Sequence, residues 1–284
     1  MLIMPNWLRK ECFNIMNAED KFDLLKMILR KMEATAIAFS GGVDSSFLLY
    51  TACEILGNNI TAVIFSSQVI PQRELNNARS FARSLGVNLH ELSFDIESLD
   101  FFHNNPVNRC YYCKKHLFTK LKEFALKQSL PWVADGTNWD DLNDFRPGCK
   151  ALEELKIRSP LQEAGLKKEE IRFLSKRMGL STWDKPAVPC LATRIPYGQP
   201  ITLKKLNEIE QAEDYLHILG FKNIRVRHDN HTARIELPTD YFEDVLNYRE
   251  KIVDKFKSLR FTYITLDLEG FRSGSLNERK NLNG

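Results

Sequence analysis

The stretch "ATAIAFSGGVDSSFLLYTACEILG", residues 34–57, decides the fold. Its first seven residues form a short, apolar, β-rich run, Gly41 and Gly42 follow, and from Val43 onward apolar side chains recur at helical spacing. That order is strand, tight turn, helix. Two glycines let the backbone turn sharply with its N–H groups exposed, and the start of a helix adds a field that favours anions. "SGGVDSS", residues 40–46, therefore reads as a phosphate cradle rather than a plain turn, with Ser on each flank and Asp44 inside. No Lys-Ser/Thr pair stands at Walker A spacing and no G-x-G-x-x-G follows a strand, so neither a P-loop kinase nor a dinucleotide dehydrogenase is supported.

Working outward, the same alternation repeats. "ITAVIFSS" (60–67) and "VNLHELSF" (87–94) predict strands on either side of a helix over 71–86, and a helix over 116–129 precedes a strand in "PWVADGTN" (131–138). "SPLQEAGLKKEEIRFLSKRMGL", residues 159–180, predicts one capped helix that closes the unit. Alternation of this kind implies an α/β fold, a parallel sheet with helices on both faces. Beyond 195–202 the pattern changes to a helix (203–220), two strand-like runs around a polar turn (223–238), a helix, and a last strand in "FTYITLDL" (261–268). We expect two domains, residues 1–197 and a smaller α+β domain over 198–284, with a disordered tail after Ser275. No internal repeat or low-complexity segment interrupts them.

Composition narrows the classes. The chain has 284 residues, 43% hydrophobic and 27% charged, as an ordinary soluble protein has. No apolar run approaches the roughly 20 residues a bilayer span needs. The opening "MLIMPNWLRKECF" meets charge early and lacks a small-residue cleavage site, so the expected setting is cytoplasmic, without a signal peptide or a membrane partner. A net charge of +3 is too small to argue for nucleic acid by field strength.

Six cysteines in a reducing compartment do not make a disulfide framework, and only Cys110 and Cys113, in "NRCYYCKKHLF" (108–118), have ligand-like spacing. The pair admits several readings: part of an iron–sulfur site, structural zinc with His116 as a further ligand, a thiol/disulfide switch, or buried thiols. Cys53 lies in an apolar helical pattern and reads as a small buried hydrophobe. Cys190 sits in a Pro-bounded turn, "PCLATRIPYG" (189–198), with Arg194 four residues on, and a nearby cation favours a thiolate. In "IRVR" the strand period aims Arg225 and Arg227 at one face, an arrangement that calls for an anion.

"SGGVDSS", with "DGTN" (135–138) and "SPLQEAGLKKEEIR" (159–172), resembles the PP-loop ATP pyrophosphatases, which have the adenine nucleotide alpha hydrolase-like fold and cleave ATP between its α and β phosphates to adenylate a substrate oxygen. The resemblance implies that Ser40, Gly41, Gly42, Asp44, Ser45 and Ser46 hold pyrophosphate and its metal, and that Asp135 and Gly136 belong to the nucleotide site. "PCLATRIPYG", "DFRPGCKALEE" (144–154), "RVRHDNHTARIELP" (225–238) and "TLDLEGFRSGSLN" (265–277) more closely resemble the LarE family of sulfur transferases in nickel-pincer nucleotide cofactor synthesis, over nearly the whole chain from about Ala34 to Asn277.

That resemblance implies an enzyme that uses ATP and Mg2+ to adenylate a carboxylate of pyridinium-3,5-dicarboxylate mononucleotide and exchanges oxygen for sulfur. It implies catalytic roles for Cys190, Lys114 and Arg194, contact of Arg225 and Arg227 with the substrate phosphate, and a divalent ion at Glu213, Glu236 and Asp244. Family members either sacrifice the sulfur of the one cysteine at the Cys190 position or carry two more. Having Cys110, Cys113 and Cys190, this chain matches the second kind, in which three thiolates hold a 4Fe-4S cluster and sulfide or another sulfur donor replenishes it. The family also implies a homo-oligomer, while the weak net charge and a small C-terminal domain without an obvious RNA-binding stripe speak against a nucleic-acid partner. Cluster-dependent tRNA thiolation by the same loop, a sacrificial Cys190, and a regulatory module that binds ATP without cleaving it are the competing readings.

Overall fold

The computed structural model describes residue 13 and residues 16–142 and 147–272, so the tail after Ser275 lies outside the described residues. The chain divides into two compact units. The first comprises the described residues through Ser66 together with Gln72–Phe94 and Cys110–Ala187, and the second comprises Ser67–Pro71, Asp95–Arg109 and the described residues from Val188 onward.

In the first unit, strands β1 (Thr35–Ala38), β2 (Ile60–Ser66), β3 (Asn88–Ser93) and β4 (Trp132–Ala134) form one sheet in the order β3-β2-β1-β4. Every pairing is parallel, with Ala36 opposite both Thr61 and Val133. The central strands are buried on both faces, which is why they read as continuous apolar runs. Parallel strands need crossovers, and the helices supply them: α1 (Ala18–Arg30) enters the unit, α2 (Val43–Leu56) joins β1 to β2, and α3 (Gln72–Ser84) joins β2 to β3. Right-handed crossovers in one direction put α2 and α3 on one face of the sheet.

The other face is covered by α5 (Arg109–Lys127) and α6 (Pro147–Glu154), whose Phe118, Leu121, Ala125 and Leu152 pack with Ala36, Val63 and Val133. Helix α4 (Asp100–Asn104) belongs to the second unit. Helix α2 is apolar almost all round and buries Phe47, Leu48, Leu49 and Ala52. Burial pushes the Cys53 thiol in this helix up to about 11, so it is an inert packing residue.

The single helix expected over 159–180 is two, α7 (Pro160–Glu163) and α8 (Lys168–Arg177). Gly165 breaks it with φ +72° and presses its α-carbon against the Phe13 ring, where a side chain has no room. The chain restarts at Lys167, whose N–H donates to Glu170 Oε2 at 2.8 Å.

The second unit builds a three-stranded sheet. β5 (Arg225–Asp229) and β6 (Thr232–Glu236) are antiparallel about Asn230, which takes a left-handed φ of 54°, and β7 (Tyr263–Leu266) runs parallel to β6. Helix α9 (Leu203–Ile218) starts at Thr202, whose hydroxyl accepts the Lys205 N–H. Where one helix was expected before the last strand there are two, α10 (Phe242–Asn247) and α11 (Arg249–Ser258). Ala212 and Leu216 of α9, Ile252 and Phe256 of α11 and Val226 and Ile235 of the sheet share one core. With Val226 facing that core, Arg225 and Arg227 project from the opposite face. No helix among the described residues is long and apolar enough to cross a membrane.

Candidate active site

The phosphate loop stands at the carboxyl end of β1 and opens α2. Gly41 has φ +70°, and a Cβ there would lie 2.8 Å from Ala78 Cβ on α3, so both conformation and space demand glycine. Ser45 Oγ knits the turn together, meeting Ser40 Oγ at 3.1 Å and donating to the Gly42 carbonyl at 3.2 Å. Gly42 is the N-cap of α2 and offers no side-chain cap. The N–H groups of Gly42, Val43 and Asp44 find no acceptor among the described residues, and Ser46 Oγ is buried without a hydrogen-bond partner. Such a helix start is an anion receptor.

Two other stretches singled out in the sequence come to this loop. Gly136 packs backbone to backbone against it: a Cβ there would sit 2.9 Å from the Ser45 nitrogen. Asp135 is buried, accepting from Thr137 Oγ1 at 2.5 Å and Ser159 Oγ at 2.7 Å, so "DGTN" and the start of α7 are tied at one carboxylate. Lys114 Nζ lies 4.0 Å from Asp135 Oδ2. Its stem runs over Gly148 at the start of α6, where a Cβ would come within 2.7 Å of Lys114 Cδ.

Asp44 Oδ2 accepts from Lys168 Nζ at 2.6 Å, and its Oδ1 is buried without a well-formed hydrogen bond. Burial pushes the Asp44 carboxyl above the ordinary carboxylate range, and the Lys168 ammonium opposes that shift without cancelling it. An orphaned carboxylate oxygen beside free N–H donors fits a cation carried on phosphates. Sequence reasoning missed Lys168, which looks like one more lysine of an exposed helix start.

Cys110 and Cys113 lie in the first two turns of α5, one exposed and one half-buried. Spacing of three on a helix puts both thiols on one face, roughly 5–6 Å apart at Cβ, which fits two ligands of one cluster. His116 continues the same helix, so the rise of 1.5 Å per residue puts it roughly 9 Å along the axis from Cys110 and turned away from it. Among the described residues no three His, Cys, Asp or Glu side chains are gathered as a metal-holding group.

In the second unit Cys190 is the N-cap of a 3-10 turn, Leu191–Arg194. Arginines hold this turn by its carbonyls. Arg194 Nη1 donates to Pro189 O at 2.8 Å and Cys190 O at 3.3 Å, Arg109 Nη1 donates to Ala192 O at 3.3 Å, and Arg227 Nη1 donates to Thr193 O at 2.6 Å. Arg109 also binds Asn105, whose amide donates to Pro196 O at 2.8 Å and Gln199 O at 3.0 Å. Neither residue was singled out in the sequence.

Arg194, expected beside Cys190, and Arg227, expected at the substrate phosphate, both have carboxylate partners. Arg194 forms a bidentate pair with Glu213 at 2.8 and 2.9 Å, and Arg227 one with Glu236 at 2.9 Å on both arms. Glu213 also accepts the Val226 N–H. These carboxylates are committed to arginine, and Asp244, on α10, is exposed, so the expected divalent-ion set does not fit a metal as arranged. Arg225 is different: it is 8% exposed, stacks its guanidinium 4.6 Å from the Phe271 ring, and has no hydrogen bond or ion pair among the described residues. Burial pulls it down to about 10, and Arg227 and Arg194 add to that.

Residues 18–110 match the NAD synthase family. A pyridinium-3,5-bisthiocarboxylic acid mononucleotide synthase of Lactiplantibacillus plantarum is 39% identical over 251 residues, covering 88% of this chain and 91% of its own. An uncharacterized protein of Synechocystis is 41% identical over 262 residues, 91% of this chain and 97% of its own. The likeness to a glutamine-hydrolyzing GMP synthase chain of Thermoplasma volcanium is more distant, 29% over 63% of this chain and 61% of that protein. A phosphate loop of this build, in a chain matched almost from end to end, means that the protein belongs to the LarE family of PP-loop enzymes, the family of the pyridinium-3,5-bisthiocarboxylic acid mononucleotide synthase.

Proposed function

We propose that the protein is an ATP-dependent sulfur transferase that activates a carboxylate of pyridinium-3,5-dicarboxylate mononucleotide as the acyl-adenylate and replaces one carboxylate oxygen with sulfur. The carboxylate attacks the α-phosphorus of ATP and pyrophosphate leaves; a sulfur at the sulfide level then attacks the acyl carbon, AMP departs with the oxygen, and a thiocarboxylate remains. No electrons are gained or lost. Adenylation turns an oxide that cannot leave into a phosphate monoester that can.

The chain's own groups divide the work. The free N–H groups of Gly42, Val43 and Asp44 and the Ser46 hydroxyl would receive the departing pyrophosphate, and Asp44 would hold a Mg2+ ion, which would offset the phosphate charge. Lys114, steered by Asp135, neutralises phosphate charge. Arg194 fixes the Cys190 turn through the Pro189 and Cys190 carbonyls. Cys110 and Cys113 on their one helix face, with Cys190 as third thiolate, would be the ligands of a 4Fe-4S cluster, which would supply the transferable sulfur; the three are not gathered among the described residues, so this part rests on the family likeness.

The observation that supports this reading most directly is Arg225. A nearly buried guanidinium that forms no ion pair among the described residues, and whose charge the more distant Glu236 and Glu213 only partly offset, is costly unless a ligand brings an anion, and the phosphate of a mononucleotide is one of the right kind. Arg227, pinned by Glu236, stands on the same strand face beside it. The test is anaerobic purification with iron and sulfide analysis, then incubation with ATP, Mg2+ and the mononucleotide. Substrate gaining the mass of an oxygen-to-sulfur exchange, with AMP and pyrophosphate formed, supports the proposal. Protein that loses one sulfur per product points instead to a sacrificial Cys190, and ATP bound but never cleaved removes the enzyme reading.

A further inference from the structure

Lys185 lies just past the turn after α8, outside the motifs quoted above and four residues before "PCLATRIPYG". Its Nζ donates to the Gly41 carbonyl at 2.8 Å and pairs with Glu74 Oε2 at 2.7 Å, and both side chains are mostly buried. Glu74 is on α3, the same helix whose Ala78 is pressed against Gly41. The turn that carries the lysine is itself fixed, because Arg172 of α8 donates to the Trp183 carbonyl at 2.7 Å and the Lys185 carbonyl at 2.8 Å. Beside the loop lies a pocket of about 480 Å³, lined among others by Gly41, Asn77, Phe81, Thr182 and Lys185. The Gly41 carbonyl thus borders open space, and its hydrogen bond within the described residues comes from the lysine.

In a trans peptide the carbonyl of one residue and the N–H of the next point in opposite directions, and no described peptide bond is cis. Whatever fixes the Gly41 carbonyl therefore aims the Gly42 N–H. We infer that Lys185, backed by Glu74, is a positioning residue that turns the Gly41–Gly42 peptide so that its N–H faces the pyrophosphate. The lysine acts through the carbonyl of this peptide, which it grips while itself held by Glu74. A flexible glycine pair is free to flip this peptide, and a flipped peptide presents a carbonyl to the phosphate. This inference rests on the proposed use of the loop as the pyrophosphate site.

The experiment titrates the protein calorimetrically with inorganic pyrophosphate plus Mg2+ and, separately, with ATP plus Mg2+. Lys185→Met is expected to weaken pyrophosphate binding about tenfold, the equivalent of one charge-assisted hydrogen bond, and Lys185→Arg to restore most of it. A purely structural role lowers the melting temperature without moving either affinity at a temperature where the variant is folded. Wild-type pyrophosphate affinity in folded Lys185→Met overturns the inference. If that variant does not accumulate folded, Glu74→Gln carries the test: it leaves the lysine in place but unbraced, and an unchanged affinity there also overturns the inference. Wild-type protein that binds neither pyrophosphate nor ATP removes the reading of the loop itself, a result that no variant is needed to recognise.

Discussion

Asp44 sits in a conflict between burial and charge, and the sign of that conflict is measurable. Its carboxyl is raised above the ordinary 3.8 because desolvation outweighs Lys168. A raised carboxyl pKa means that the folded state binds the proton more tightly than the unfolded state. The contribution to stability is complete below 3.8 and is lost as pH rises through the higher folded value. Asp44→Asn cannot ionise, so without nucleotide its stability relative to wild type is expected to improve as pH climbs from about 4 to 7, read by urea denaturation. A relative stability that falls over that range means that the Lys168 pair dominates instead. Adding ATP and Mg2+ reverses the order, because only the wild type gains a cation contact. Arg225 and Arg227 invite a second comparison. Arg227→Ala takes from the fully buried Glu236 its bidentate partner and leaves it Arg234 Nη2 at 3.1 Å, so the expected loss of stability is smaller than the roughly 3–5 kcal/mol typical of breaking a buried pair outright. Arg225→Ala removes a charge that forms no ion pair among the described residues and stacks on the Phe271 ring, so stability is expected to change less than in Arg227→Ala. Its expected loss is in affinity for the mononucleotide, about tenfold to a hundredfold by calorimetry, with ATP affinity unchanged. Equal effects of the two variants on stability contradict this division of labour.

At the scale of elements, what the sequence shows depends on how far apart the interacting residues are. The strand, the glycine pair and α2 were legible because period and turn chemistry are local, and the parallel alternation followed from them. The break between α7 and α8 was not, because helical spacing continues through residues 159–180 and the ring that excludes a side chain at Gly165 is Phe13. Lys168 and Lys185 were invisible for the same reason. They reach Asp44 and Gly41 across 124 and 144 residues, and although Lys168 stands inside the stretch 159–172, nothing there sets it apart from the lysine beside it. "DGTN" was recognised only as a motif; the structure adds its physical reason, that the β4 loop must touch the start of α2. Gly136→Ala places a methyl against the Ser45 backbone, which cannot yield as a flexible side chain does. Overpacking of this kind costs about 1–3 kcal/mol, and here it also displaces the phosphate loop, so ATP affinity should fall with stability. Gly179→Ala is the control: its φ of +71° strains any side chain, yet nothing lies near, so stability falls by about 1–2 kcal/mol with ATP affinity intact. Thermal melts and nucleotide titration of both variants decide the matter, and parallel behaviour would show that the contact has no bearing on the nucleotide.

At the scale of the whole molecule, the proposed chemistry draws on stretches that the chain sets far apart. The phosphate loop and the Cys110/Cys113 helix face belong to the first unit, and the Cys190 turn and Arg225 to the second. Composition and spacing could not choose among sulfur strategies, because zinc, a dithiol switch and a cluster all use paired cysteines. One pair of variants separates them. Cys190→Ala is expected to abolish sulfur transfer under either strategy while ATP still binds, since the loop is built from other residues. Cys110→Ala distinguishes the two: if its thiol holds the cluster, the variant loses iron, its visible absorbance bleaches and turnover stops. If Cys190 gives up its own sulfur, the same variant still completes one transfer per chain. Thermal stability should hardly change in either case, because Cys110 is exposed and fills no core. The measurement is single-turnover thiocarboxylate formation by iron-free Cys110→Ala, with protein mass recorded before and after. Product formed in step with loss of sulfur from Cys190 would overturn the cluster assignment, whereas an inactive variant whose pyrophosphate release is intact would support it.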